Sequence, residues 1–261
     1  MRAKKSLGQH FLTNPQITRK ISTALMPIEQ VKWIVEVGPG RGILTQELVD
    51  RDEQLLLIEK DKALVAHLQI LFPQLSDQIL ERDFLKTDLS RAVPEAFHLI
   101  GNFPYNISSQ IIFKMLDNRP LVPQMVGMFQ KEVAMRLASG HGSKAYGILS
   151  VLLQTFYDVE VLFHLEPGAF TPPPKVKSTV IRCTRKDGVT MDREDEVIFR
   201  KVVKLAFGQR RKMLRNSIAP VLTGDPSTEL QPFLTLRPEQ ISIPDFLRLA
   251  RLVQINSSLG S

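Results

Sequence analysis

A chain of 261 residues, 43% hydrophobic and 23% charged, has the make-up of an ordinary soluble globular protein, with material for one large α/β domain and a smaller one. A single cysteine, Cys183, excludes an intramolecular disulfide and a multi-cysteine metal site and suits a reducing cytosol; no apolar run approaches the ~20 residues that cross a bilayer, so neither export nor a membrane partner is expected. The net charge of +7 is uneven: residues 1–20 hold five basic and no acidic side chains (Arg2, Lys4, Lys5, Arg19, Lys20), residues 200–215 hold seven and none, and the remainder is net acidic, which points to a polyanion as partner.

The leader, Ser6 to Leu12, mixes polar and apolar residues and suits either a segment folded across a ligand or a frayed terminus. Thr13 is placed to cap a helix over about 15–25, with Pro15 in its first turn and Ile17, Ile21 and Leu25 on one face. Residues 33–37 read as a strand, Gly38-Pro39-Gly40-Arg41-Gly42 as a glycine-rich turn and 43–48 as a helix, the first βα unit of a doubly wound sheet. Glycines 38 and 40 let backbone approach a ligand closely, and amides opening the helix receive negative charge. Ile43 stands where a dinucleotide fingerprint has its last glycine; pyrophosphate is disfavoured, and the methionine carboxylate of S-adenosylmethionine is the better guest.

The apolar run 55–58 has the pattern of a parallel strand buried on both faces and ends in Glu59. Glu59 lies about 20 residues beyond Gly38, where an acid takes both ribose hydroxyls of an adenosine. A helix over 60–72 and a strand near 78–80 follow and deliver Asp83 and Phe84. Asp83 is placed to accept from a cofactor adenine amine while Phe84 or Ile58 covers the ring.

The next strand, 98–101, opens into Asn102-Phe103-Pro104-Tyr105. An Asn oxygen accepts hydrogen bonds, Pro104 fixes the backbone with its carbonyls outward, and Tyr105 offers a flat face to a planar ring. Such a group can hold an exocyclic amine whose lone pair is delocalised, drawing its hydrogens toward a tetrahedral arrangement without a strong base. The alternative is an ordinary turn after a strand.

Further on, 111–116 suits a helix and 125–129 a fifth strand. Helices over 131–137 and 148–156 are joined by a polar loop, 140–144, whose Lys144 is a candidate RNA contact. Strands at 159–163 and 176–183 bracket Phe170 and the stiff run Pro172 to Pro174. Phe170 would there cover an adenine flipped out of its stack, opposite Tyr105. After Thr184 strands give way to helices near 194–207, 210–222, 226–233 and 244–254. Arg210, Arg211, Lys212 and Arg215 are candidate phosphate contacts in this small helical domain.

Gly8-Gln9-His10-Phe11-Leu12, Glu36 to Gly42, Glu59, Asp83, Gly101 to Ser108, Ser143 to Gly147 and Phe170 to Val176 together resemble the ribosomal RNA adenine dimethyltransferases over nearly the whole chain, and their small-subunit branch in particular. The resemblance implies a seven-stranded Rossmann-like S-adenosylmethionine methyltransferase domain at 1–184 and a helical RNA-positioning domain at 185–261. It implies a metal-free, cytoplasmic monomer that dimethylates two adjacent adenosines near the 3′ end of small-subunit RNA within an assembling subunit. It assigns cofactor contacts to His10, Leu12, Gly38, Glu59, Asp83 and Asn102, beside Gly40 of the glycine turn. Asn102, Pro104, Tyr105 and Phe170 are then the residues around the target base. Phe103 stands where the family commonly has Leu, and His10 where it often has Asn. Two other readings stay open: an assembly factor whose binding role dominates, and a large-subunit RNA dimethyltransferase of the antibiotic-resistance type.

Overall fold

Continuous buried runs at 34–37, 55–58 and 97–100 build the protein around one sheet. A computed structural model describes residues 3–4, 7–222 and 226–258; Arg2, Lys5 and Ser6 of the leader lie outside the described residues. The strands are β1 (Phe11–Leu12), β2 (Trp33–Val37), β3 (Gln54–Glu59), β4 (Ile79–Glu81), β5 (Phe97–Asn102), β6 (Gln124–Gln130), β7 (Tyr157–Leu165), β8 (Phe170–Thr171) and β9 (Ser178–Arg185). The first six helices are α1 (Pro15–Thr23), α2 (Thr45–Leu48), α3 (Lys62–Leu71), α4 (Leu89–Ala92), α5 (Ser108–Asp117) and α6 (Lys131–Ala138). Contacts divide the chain into two compact units, one of residues up to Ala134 with Asp158–Arg185, the other of Met135–Tyr157 with the residues from Lys186 onward. The second unit thus takes in a helical segment, 135–157, that the sequence expectation placed with the first.

Seven strands form a sheet in the order β4-β3-β2-β5-β6-β9-β7, the Rossmann-like methyltransferase arrangement expected. β4 through β6 run parallel and β9 runs antiparallel to β6. From β2 the chain winds outward through β3 and β4 and then returns to the other side of β2 as β5. That reversal opens a crevice beyond the carboxyl ends of β2 and β5, where Gly38 and Asn102 begin. Beneath it Ile34, Leu57 and Ile100 are completely or almost completely buried in the main hydrophobic cluster.

A second, two-stranded sheet pairs β1 antiparallel to β8, with Phe11 opposite Thr171 and Leu12 opposite Phe170. The leader is therefore pinned just before α1. Thr13 does not cap that helix: its N–H and hydroxyl both reach the carbonyl of Ala169, and the cap is Asn14, whose side chain accepts from the Gln16 N–H at 2.9 Å. At α3 Asp61, not Lys60, is the boundary, its side chain accepting from the Ala63 N–H.

The second unit is helical: α7 (Ile148–Phe156), α8 (Arg193–Gly208), α9 (Leu214–Ser217), α10 (Gln231–Leu234) and α11 (Ile243–Ser258). Asp192 caps α8, and Glu194, Asp195 and Glu196 fill its first turn, the arrangement the helix dipole favours. α8 packs on α7 and α11 through Phe199, Val202, Val203 and Ala206. The helix expected over 210–222 is broken. Met213 is extended, α9 lasts one turn, and Pro220, without an N–H, holds the rest to a short tight turn. The helix expected over 226–233 shrinks to α10, with Pro232 near its start.

Candidate active site

The crevice is a cleft within the first unit, lined by the leader, the glycine turn and the carboxyl ends of β3 and β5. One wall is the turn after β2. Gly38 and Gly40 both have φ near +60°, and a side chain at Gly40 would press on the Phe11 ring at 3.0 Å, so only glycine lets the backbone wall lie open there. The helix after the turn is only the single turn of α2, shorter than expected.

Glu59 closes the cleft at the end of β3. It is 6% exposed, and its two oxygens accept from the N–H groups of Gly40 at 3.2 Å and Asp61 at 2.8 Å. Burial raises its carboxyl above the usual range, against the pull of those amides. Each oxygen keeps acceptor capacity for a further donor. Asp83 follows β4. Its carboxylate takes Lys60 Nζ at 2.9 Å and the Leu85 N–H at 3.0 Å, and the Lys60 contact holds it below the ordinary value. Behind the turn, Glu36 of β2 is buried and accepts from Thr45 Oγ1 at 2.7 Å; burial pushes it up to about 8, so it is protonated at neutral pH. Glu36 was read from sequence only as part of a motif, because a strand pattern does not reveal a buried acid.

The opposite wall is the quartet after β5. Asn102 Nδ2 donates to the His10 carbonyl at 2.7 Å, and since that carbonyl only accepts, the amide orientation follows. Asn102 Oδ1 receives no hydrogen bond among the described residues. The Pro104 carbonyl accepts from the Ile107 N–H and Ser108 Oγ. The Tyr105 hydroxyl meets Ser178 Oγ at 2.5 Å, and burial raises its pKa above the usual phenol value. Its ring stacks on His10, centroids 5.3 Å apart and planes 28° from parallel, while His10 Nδ1 donates to the Pro172 carbonyl at 2.8 Å. The leader thus folds along the cleft, where residues 7–11 form part of the lining.

His10, Gly38, Gly40, Glu59, Asp83, Asn102, Pro104 and Tyr105 therefore converge on one cleft. Leu12 lies beside it, 4% exposed in the core and lining a smaller recess along the glycine turn. Phe170 does not reach the cleft lining: pairing with Leu12 buries it in the core at 3% exposure, and the ring that faces Tyr105 is His10. No local pattern signals the β1–β8 pairing responsible.

The basic candidates lie in the second unit. Arg211, Lys212, Arg215 and Lys144 are all exposed. Arg210 is engaged: Nη2 donates to the Ser143 carbonyl at 3.2 Å, and Nε lies 3.9 Å from Glu239. The Gly142 N–H donates to the Glu239 carbonyl, so the 140–144 loop is held to the same turn. Arg200, counted in the basic run, pairs with Glu196 at 2.8 Å. Among the described residues no helix is long and apolar enough to cross a membrane.

A family model described as ribosomal RNA adenine dimethylase matches residues 1–241. Proteins named ribosomal RNA small subunit methyltransferase A are similar along the chain. That of Parabacteroides distasonis is 48% identical over 97% of this chain and 95% of its own, and that of Cytophaga hutchinsonii 45% over 97% and 98%. Among solved structures, a dimethyladenosine transferase from Plasmodium falciparum superposes with a TM-score of 0.81 at 25% identity, covering 95% of this chain and 98% of the other. The 23S rRNA methyltransferase ErmE shares the fold at a TM-score of 0.70 and 23% identity, covering 94% and 99%.

Proposed function

This chain belongs to the ribosomal RNA adenine dimethylase family, and we propose that it dimethylates the exocyclic amines of two adjacent adenosines near the 3′ end of small-subunit ribosomal RNA, within an assembling subunit in the cytoplasm. It is an S-adenosylmethionine-dependent methyltransferase. The cleft residues fit that cofactor: an open glycine wall for the methionine end, a buried acid for a diol and a second acid for an amine. When bound, the cofactor supplies a methyl group made electrophilic by a sulfonium.

Gly38 and Gly40 would present backbone to the methionine end, Glu59 would accept from the ribose hydroxyls, and Asp83 would accept from the cofactor's adenine amine, with Ile58 and Phe84 lining the cleft for its ring. Asn102 Oδ1 and the Phe103 main-chain carbonyl take the two hydrogens of the target amine, because the Pro104 carbonyl is already used by Ile107 and Ser108. Tyr105 offers its ring to the target base. With the cofactor bound, these two acceptors would turn the amine's lone pair toward the sulfonium methyl, and the surplus proton would leave to solvent. Preorganised acceptors of this kind act where charge develops. The first unit carries this chemistry, and residues 185–261, acting as a monomer's RNA-positioning domain, meet phosphates through Arg211, Lys212 and Arg215.

The observation that carries the reading is Asn102 at the chain-reversal point of the sheet, its Nδ2 fixed on His10 and its Oδ1 left available in the cleft. The test is to incubate the protein with methyl-tritiated S-adenosylmethionine and small-subunit particles, with large-subunit RNA as control, and to identify labelled nucleosides after digestion. Dimethyladenosine from the small-subunit particles alone is expected. Label confined to large-subunit RNA would transfer the reading to the antibiotic-resistance type.

A further inference from the structure

Phe103 is the second residue of the amine-holding quartet, yet its ring is turned into the sheet. It is completely buried and meets the Phe129 ring edge-on, centroids 5.1 Å apart. Gly101 of β5 and Gly127 of β6 are register partners. A Cβ on Gly101 would lie 2.9 Å from one edge of the Phe103 ring, at Cε1, and a Cβ on Gly127 only 2.2 Å from the other edge, at Cε2. The ring therefore lies flat across a slot made by two glycines side by side on adjacent strands. Ordinary carbon contacts are about 3.5–4.0 Å, so a single methyl group at 127 would force the ring to move by more than an ångström.

The direction of that movement is set by the surroundings. Below the ring is the backbone of β5 and β6, and beside it are Phe129 and Met125, both completely buried; the Met125 sulfur would itself be 2.9 Å from the added Cβ. The cleft lining includes Phe103 with Asn102, Pro104 and Tyr105, so a displaced ring disturbs the wall that holds the amine. We propose that Gly127, with Gly101, is a positioning residue that socketes the Phe103 ring away from the cleft and so leaves room for the methyl already present on the amine when the second transfer occurs. The proposal rests on the reading that the quartet holds the target amine. The second transfer is chemically the first repeated: the monomethylated nitrogen forms its new N–C bond as another C–S bond breaks, and a proton leaves. Only the bulk beside the nitrogen differs. A pocket distinguishes a substrate by one methyl group to about 10–200-fold, enough to separate the two steps.

Gly127→Ala tests this on the full chain, with saturating S-adenosylmethionine and small-subunit particles, by following monomethyl- and dimethyladenosine through time after nuclease digestion. The expected result is a monomethyl product that persists, with the second step slowed at least about tenfold relative to the first. In Phe103→Leu/Gly127→Ala the shorter side chain gives way to the Cβ, and dimethylation should return. A parent-like product ratio in folded Gly127→Ala, or persistent monomethyl product in the double variant, overturns the socket. Should Gly127→Ala fail to fold, Phe103→Trp overfills the same slot from the other side and must favour the monomethyl product; an unchanged ratio there overturns the proposal equally. A parent protein that makes no methyladenosine at all would instead sink the functional reading, leaving the two failures distinguishable.

Discussion

Asn102 and His10 are joined by a 2.7 Å hydrogen bond from a side-chain amide to a main-chain carbonyl, across two segments far apart in the chain. The bond settles which way the amide faces and leaves Oδ1 as an acceptor in the cleft. Asn102→Ala should therefore leave a folded protein that still binds RNA but transfers methyl groups at least about a hundredfold more slowly, the scale seen when one transition-state hydrogen-bonding group is removed. The assay is a single turnover at saturating S-adenosylmethionine, which removes any contribution from weakened cofactor binding. A near-parent rate would mean that another group accepts from the amine.

Glu59 bridges the glycine turn and the start of α3 through the N–H groups of Gly40 and Asp61. Its replacement by Ala removes a charged acceptor for two ribose hydroxyls and loosens the turn as well. Charge-assisted hydrogen bonds contribute about 1.5–3 kcal/mol, so S-adenosylmethionine affinity should fall tenfold or more, with a lower melting temperature. Calorimetric titration measures the first and thermal unfolding the second. Unchanged affinity in a folded variant would remove Glu59 from the cofactor site.

Much of this site is legible in the sequence because its residues follow strands whose apolar runs are unmistakable. Each of Gly38, Glu59 and Asn102 stands at or just beyond the carboxyl end of a strand, and the doubly wound order brings those ends together. What the sequence does not disclose depends on partners distant in the chain. The ring of Phe170 seemed free to cover a base, but two-residue strands carry no periodicity, and its pairing with Leu12 takes it into the core. Thr13 and Asn14 are both good capping residues, and only the Ala169 carbonyl, which occupies Thr13, decides between them. Phe103 stands where the family commonly has Leu, and only the facing Gly101 and Gly127 show where the larger ring goes. Likewise Arg210 reads as one of a basic run, whereas the Ser143 carbonyl and Glu239 engage it.

His98 on β5 is completely buried, and neither ring nitrogen has a partner among the described residues. Burial lowers its pKa from 6.5 to about 4, so the folded protein holds it neutral while the unfolded chain protonates it more readily. The folded pKa being depressed, its share of stability is intact above pH 6.5 and is lost as pH falls toward 4. The loss amounts to at most about 3 kcal/mol. His98→Phe should flatten the acid limb of the stability curve over that interval in denaturant titrations. If parent and variant lose stability in parallel there, the proton is taken up elsewhere.

Arg211, Lys212 and Arg215 are exposed, in contrast to Arg210, which is tied to the Ser143 carbonyl, and Arg200, which is paired with Glu196. Side chains that face water can exchange counterions for phosphates, whereas those already committed to the fold lose structure when replaced. Replacing Arg211, Lys212 and Arg215 together by Gln should lower the slope of log binding constant against log salt by about two to three, since each phosphate contact contributes roughly 0.7–0.9. None of the three lines the cofactor cleft, so S-adenosylmethionine affinity should not change. Methylation of small-subunit particles should be poor at physiological salt and recover in part at low salt, where the remaining positive charge suffices. Arg210→Gln should act differently, lowering the melting temperature by freeing the 140–144 loop. A triple variant with the parent's salt slope would show that these residues only solvate the turn after α8, and would move the phosphate contacts to Lys144 and the basic leader.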